Sequence, residues 1–146
     1  TKVLEKISTT ATCPKVKMLS QEIDKVVRSR VLNPTWLEGI KKHSYKGAFE
    51  MSATLDYLYA YDASTGSVPN WCYSEICDQW LGDSSTIKFL MNNNPWALRD
   101  MAERLLEAFN RKMWTEPSDD QIDLLKELIH KTERDIEQEK QQNNTY

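Results

Sequence analysis

The stretch HSYKGAFE, residues 43–50, carries the side chains with the clearest chemical potential. His43 can shuttle a proton or ligate a metal. Lys46 precedes Gly47 at the point where an apolar helical pattern begins, and the unpaired N–H groups and dipole of a helix start favour an anion. Glu50 follows Lys46 by four residues, so the two could equally form an ordinary ion pair on one helix. The residues alone leave two interpretations, an anion-binding corner or a tight turn between helices.

No catalytic or nucleotide-binding pattern accompanies this stretch. Neither G-x-x-x-x-G-K nor G-x-G-x-x-G occurs in the chain, so no nucleotide site is predicted. The other histidine, His130, lies far from His43 in an amphipathic pattern. Three cysteines, Cys13, Cys72 and Cys77, have no framework spacing, which predicts reduced, buried structural thiols in a cytoplasmic protein.

Composition limits the functional classes. The chain has 146 residues, 40% apolar and 28% charged, with a net charge of −3. This is typical of a soluble globular domain and argues against a general nucleic-acid binder. No apolar run approaches the ~20 residues that a membrane helix needs. The sequence does not begin with Met, so we expect a piece of a longer protein.

Apolar periodicity predicts a mostly α domain of six or seven helices joined by short turns. Residues 1–14 have no clear period and are interpreted as an irregular lead-in that continues from an upstream part. Residues 15–140 form the predicted helical domain, and residues 141–146 a polar, frayed tail.

Local signals mark several helix starts. Asn33-Pro34 and Asn94-Pro95 each place a good N-cap residue before a proline that suits the first helical position. Asn70 is predicted to cap another helix, and Ser118 with Gln121 matches a capping box.

The helical stripes also predict the core and separate the acidic side chains. Glu50, Asp56 and Asp62 fall on different faces of one helix, so no acid pair is predicted among them. The expected core residues are Leu19, Ile23, Val27, Trp36, Leu55, Leu58, Leu98, Met101, Leu105, Phe109 and Leu125.

Longer motifs resemble a known family. The run RSRVLNPTWLEGIKKHSYKGAFEMSATLDYLYAYDASTG, residues 28–66, closely resembles the C-terminal region of the cobaltochelatase large subunit, which has R-x-R, N-P-x-W and E-G elements and then H-G-Y-K-G-A. NPWALRDMAERLLEAFNRKMW, residues 94–114, is similar to a second motif of that family, and DQIDLLKELIHKTERDIE resembles its closing helix. Magnesium chelatase large subunits share the first motif and the glycine corner, but GAFEMSATLDYLYAYDASTG looks more like the cobalt branch.

One residue departs from the family pattern. Ser44 stands where the family usually has glycine, which would serve a left-handed helix cap. A serine in that conformation costs about 1 kcal/mol, so the corner is expected to differ in this protein.

The resemblance implies a function for the whole subunit. It implies a tetrapyrrole substrate and the insertion of cobalt into a corrin-type macrocycle in cobalamin biosynthesis, with magnesium as the alternative metal. It also implies a separate ring-forming ATPase subunit that hydrolyses ATP, and a third subunit with a metal-ion-binding adhesion domain. Insertion needs groups that accept protons and groups that hold the arms of the macrocycle. The candidates are His43 and Glu50 as catalytic groups, and Arg28, Arg30 and Lys46 as substrate-binding groups.

A second hypothesis is a helical interaction module that supports the large subunit or docks the ATPase subunit without touching metal or macrocycle. Its five tryptophans would then mark an inter-domain face. The two hypotheses differ in whether His43, Lys46 and Glu50 line a concave pocket or lie on a flat surface. A nickel- or iron-handling paralogue also stays open. In either case we expect this chain alone to insert no metal.

Overall fold

The structure, a computed structural model, describes residues 23–144, with side chains through residue 141. Within that range the chain is mostly helical and contains no strand, which confirms the predicted fold class. After helical residues 23–26, the α-helices are α1 (Pro34–Ile40), α2 (Ser44–Thr65), α3 (Asn70–Ile76), α4 (Ser84–Asn93), α5 (Pro95–Asn110) and α6 (Asp119–Asn144). Helix α2 begins earlier than the apolar pattern indicated, at Ser44 and not at Ala48.

Two junctions between helices are π-helical. They lie at Val27–Val31 and Cys77–Leu81, and each leads through a short turn into the next helix, α1 or α4. Trp80, in the second π-helical segment, is completely buried. A 3-10 turn, Lys41–His43, joins α1 to α2 and forms one side of the corner predicted from the sequence.

The asparagine–proline signals act as predicted. The Asn33 side chain accepts hydrogen bonds from the backbone N–H groups of Thr35 and Trp36, at 3.1 and 3.3 Å. The Asn94 side chain accepts one from the N–H of Ala97 at 3.2 Å. Each proline follows as the first helical residue, where its missing N–H leaves no helical hydrogen bond unmade.

The capping box is also confirmed, but the predicted cap at Asn70 is wrong. The Ser118 N–H donates to Gln121 Oε1 at 2.9 Å, and the Gln121 N–H donates to Ser118 Oγ at 3.1 Å. Asn70 is instead the first residue of α3, after Pro69. Its side chain accepts from the N–H of Thr115 at 2.6 Å, because a residue inside the helix can point its amide towards the loop that follows α5.

The core confirms most of the predicted apolar set. Trp36 is partly buried against the core, and Leu19 lies outside the described residues. Phe109 was predicted to be buried but is 37% exposed, because the chain reverses just after it and Trp114 is completely buried instead. The Trp114 indole N–H donates to Ser74 Oγ at 3.0 Å, which satisfies its polar edge. The predicted core residues that are buried are Ile23, Val27, Leu55, Leu58, Leu98, Met101, Leu105 and Leu125.

Helices α2 and α5 pack side by side in the same direction. The Ser52 hydroxyl donates to Asp100 at 2.7 Å, and the Tyr59 hydroxyl donates to Glu107 at 2.5 Å. Both pairs are 48 residues apart, and a constant offset identifies parallel helices. The N-terminal ends of α2 and α5 therefore lie at the same end of the domain.

Candidate functional site

The corner begins with an unusual backbone at Ser44. After the 3-10 turn that ends at His43, Ser44 has φ 49° and ψ −124°. This is the conformation of the first central residue of a type II′ turn, which strongly favours glycine. The resemblance predicted a left-handed cap at this position. The structure confirms the positive φ but places ψ outside the left-handed helical region.

Gly47 allows the first turn of α2 to approach α1 closely. A Cβ atom on Gly47 would lie 2.0 Å from the carbonyl oxygen of Ile40 and 3.0 Å from its carbonyl carbon. Ile40 is the last residue of α1, so any side chain at position 47 would push two backbone segments apart. The glycine corner between α1 and α2 is therefore a close approach of two backbone segments.

The outer face of the corner points to solvent. Tyr45 is 61% exposed and Phe49 is 57% exposed. His43 and Lys46 are exposed as well. Lys46 has no ion-pair partner among the residues that the structure describes. The corner therefore presents two aromatic rings, an imidazole and an ammonium group to solvent.

The predicted pair of Lys46 with Glu50 is wrong. Glu50 faces Arg30, with Nη1 3.8 Å from Oε1. The same Arg30 nitrogen donates to Thr54 Oγ1 at 2.6 Å, and the guanidinium lies 5.2 Å from the ring centroid of Trp36. Arg30 belongs to the helical segment before α1. Its contact with Glu50 therefore cannot be predicted from residue spacing along α2.

The five predicted site residues do not converge. Arg28 is on another side of its helix, where Nε pairs with Asp24 at 2.8 Å and the side chain is 70% exposed. The structure brings Arg30 and Glu50 together and leaves Arg28, His43 and Lys46 outside that cluster.

Sequence reasoning missed a polar seam between α2 and α5. Two guanidinium groups lie near the Tyr59 ring, with Arg104 5.5 Å and Arg111 5.9 Å from its centroid. The hydrogen bond from Tyr59 and the nearby arginines lower the pKa of Glu107. In the sequence, the only signal of this seam is a set of charged residues that recur every three or four positions along α5. The polar seam consists of Ser52, Asp56 and Tyr59 of α2, Asp100, Arg104 and Glu107 of α5, and Arg111 just after α5.

The thiols are structural. Cys72 and Cys77 are 2% and 0% exposed, as predicted, and Cys13 lies outside the described residues. Burial raises the pKa of both buried thiols to about 12, so both stay protonated at neutral pH. In residues 23–144 no three histidine, cysteine or acidic side chains gather as a metal-binding group. In the same range no helix combines the length and apolar character needed to cross a membrane.

A cleft in the described part of the chain lies elsewhere. It has a volume of about 690 Å³, between α4 and α6, and contains none of the five predicted site residues. Its floor is apolar and its rim is charged. The lining residues are Leu81, Gly82, Ser84, Ile87, Lys88, Met91, Asn92, Leu124, Glu127, Leu128, Lys131 and Asp135.

A family model described as CobN/Magnesium Chelatase matches residues 4–121 of the chain. The chain belongs to the CobN/magnesium chelatase family. The matched range includes the corner, the polar seam and all of α5, so the features described above lie inside the family domain.

Members of both branches of the CobN/magnesium chelatase family are similar to the chain. It is 48% identical to the aerobic cobaltochelatase subunit CobN of Pseudomonas aeruginosa over 104 residues, which is 71% of the chain and 8% of that protein. It is 34% identical to the magnesium-chelatase subunit ChlH of rice over 129 residues, which is 88% of the chain and 9% of that protein. Among solved structures, the catalytic subunit of cobaltochelatase from Mycobacterium tuberculosis superimposes with a TM-score of 0.75 at 44% identity, covering 79% of the chain and 10% of that subunit. The chain thus spans about a tenth of the length of these relatives.

Proposed function

We propose that this chain is the C-terminal part of the tetrapyrrole-binding large subunit of a metal chelatase, and that the whole subunit inserts cobalt into a corrin-type macrocycle. The higher identity to cobaltochelatase subunits, 48% against 34% for the rice magnesium chelatase subunit, supports cobalt as the substrate metal. Magnesium is the second candidate, because the rice subunit matches a larger share of the chain. A separate ring-forming ATPase subunit would hydrolyse the ATP, and a subunit with a metal-ion-binding adhesion domain would complete the complex.

The proposed role of this part of the subunit rests on one observation, the exposure of the corner. Lys46 is exposed in the first turn of a 22-residue helix, where the helix dipole adds to its attraction for a carboxylate. Tyr45 and Phe49 flank it with exposed apolar surface. We assign Lys46 and His43 to contact with an acidic or amide arm of the macrocycle, and the two rings to contact with its apolar edge.

Two predicted site residues receive a different role. Arg30 and Glu50 are paired with each other, and Arg30 also bonds Thr54. We propose that they brace the corner from behind by joining the segment before α1 to α2. Arg28, paired with exposed Asp24, remains a substrate-binding candidate only if a neighbouring part of the subunit approaches that face.

The alternative is an interaction surface for another domain or for the ATPase subunit. The exposed rings support it, since aromatic residues anchor many interfaces. The five tryptophans support it less, because Trp80 and Trp114 are completely buried in this domain.

The test uses the full-length subunit. Lys46→Ala should weaken tetrapyrrole binding by roughly tenfold, the loss of one charge-assisted contact. Lys126→Ala, which removes an exposed lysine from α6, is the matched control and should have no effect. Tetrapyrrole affinity and the rate of metal insertion are measured separately from ATPase stimulation. If Lys46→Ala leaves affinity and insertion unchanged, the substrate assignment is wrong, and a selective loss of ATPase stimulation would assign the corner to subunit docking.

A further inference from the structure

The polar seam contains a buried carboxyl oxygen that accepts no hydrogen bond. Asp56 Oδ1 is buried and has no hydrogen-bond partner. The nearest described cation is Arg104, whose Nε lies 3.6 Å from that oxygen, beyond normal hydrogen-bond length. A buried carboxylate oxygen without a donor is unfavourable, so its protonation state requires an explanation.

Arg104 does not neutralise its neighbours completely. Its Nε is also 3.8 Å from Asp100, and its Nη1 bonds Glu107 at 2.7 Å. One guanidinium therefore serves three carboxyl groups. Asp100 accepts a hydrogen bond from the hydroxyl of Ser52 at 2.7 Å. Because oxygens of Asp56 and Asp100 lie 3.6 and 3.8 Å from the same Arg104 Nε, the two carboxyl groups are close neighbours. Two ionised carboxylates in direct contact repel each other, and a proton between them removes the repulsion.

We propose that at mildly acidic pH Asp56 is a protonated carboxylic acid that hydrogen-bonds the Asp100 carboxylate, and that this shared proton is a pH-sensitive link between α2 and α5. The proton supplies the missing partner within the Asp56–Asp100 pair and removes one negative charge from the seam. This inference rests on the seam alone and does not depend on the proposed function.

The electrostatic environment of Asp56 agrees with this assignment. Burial raises its pKa from the ordinary 3.8 to about 6, the hydrogen bond and charge of Asp100 act in the same direction, and Arg104 opposes them. Both of these charges come from α5, whereas Ser52 and Tyr59, the neighbours on α2, are neutral. The Asp56 side chain is 48% exposed overall, so solvent limits the size of the effect.

The sign of the pH effect follows from the raised pKa. Between pH values of about 4 and 6 the folded chain holds a proton that the unfolded chain has lost. The stabilisation by this proton is therefore complete below about pH 4 and is lost as the pH rises through about 6. Above that pH, the ionised carboxylates of Asp56 and Asp100 face each other between α2 and α5. Helix α2 then loses the hydrogen bond that Asp56 makes to α5.

The first test is a carbon-13 NMR titration of the aspartate carboxyl groups in this chain. We expect one aspartate resonance with an apparent midpoint near 6, coupled to a second that titrates lower, because a contacting pair titrates as a unit. Asp56→Asn should remove the high midpoint. If every aspartate of the wild-type chain titrates below about pH 5, the proposal is wrong, and this result requires no variant to fold.

The second test compares thermal unfolding at about pH 5 and pH 7.5, the two sides of the expected midpoint. From pH 5 to pH 7.5, the Tm of the wild-type chain should fall further than the Tm of Asp56→Asn. The two histidines titrate in both proteins, so their contribution cancels when the two changes in Tm are compared. Asp123→Asn, the same change at an exposed position of α6, should retain the wild-type loss. An equal loss in Asp56→Asn and wild type would overturn the link.

Discussion

Replacing Gly47 with alanine should destabilise the domain, although alanine is the better helix former. The new methyl group would lie 2.0 Å from the carbonyl oxygen of Ile40, whereas a comfortable contact is about 3.5 Å. The obstacle is backbone and cannot rotate away, so α1 and α2 must separate by more than about 1 Å.

The expected magnitude is a balance of two terms. Overpacking in a dense interior costs typically about 1 to 3 kcal/mol, and occasionally more. The gain in helix propensity from glycine to alanine is about 1 kcal/mol. Because the obstacle is backbone, we take the upper part of the overpacking range, about 2 to 3 kcal/mol. We therefore expect Gly47→Ala to lose about 1 to 2 kcal/mol net, which lowers Tm by roughly 3 to 6 °C for a chain of this size.

Gly39→Ala is the matched control. Gly39 lies inside α1, and a Cβ there would meet nothing within 4 Å. The same chemical change should stabilise the domain by up to about 1 kcal/mol. Both variants are measured by thermal and urea unfolding followed by circular dichroism. If Gly47→Ala is as stable as Gly39→Ala, the close approach of α1 to α2 does not restrain the corner, and the structural role assigned to Gly47 is wrong.

Four further outcomes are expected. Ser44→Gly should raise stability by about 1 kcal/mol in the same unfolding assays, because glycine removes the strain of φ 49°; a loss of stability would contradict that strain. Leu105→Ala removes a completely buried side chain and should cost about 2 to 5 kcal/mol in urea unfolding, with a smaller effect showing that the site is not close-packed. Tyr73→Phe takes the 2.5 Å hydroxyl donor from buried Asp62 and should cost about 1.5 to 3 kcal/mol by the same measurement. The isolated chain should insert neither cobalt nor magnesium into a tetrapyrrole, with or without ATP, when insertion is followed by absorbance, and turnover would overturn its assignment as a part of the catalytic unit.

Local sequence signals determined the helices of this protein and most of its core. The pairs Asn33-Pro34 and Asn94-Pro95 and the capping box at Ser118 act over three or four residues, so their chemistry is complete within the signal itself. Apolar stripes likewise predict which face of a helix is buried, because 3.6 residues per turn bring those side chains to one side. The Phe109 prediction was wrong because the end of α5 and the reversal that buries Trp114 lie beyond that periodicity.

Tertiary structure decided which charges meet between different segments of the chain. Glu50 stands one helical turn from Lys46, yet it pairs with Arg30 from an earlier segment. Asp56 fell on a different face from the other acids of its helix, yet it shares the Arg104 guanidinium with Asp100 from a parallel helix, 44 residues further along the chain. Helix periodicity specifies the direction of each side chain but carries no information about which helix will lie opposite or in what register. Those contacts depend on how whole helices pack. Burial of the apolar faces determines the packing, and polar side chains at the edge of the buried surface then pair with whichever groups lie within reach.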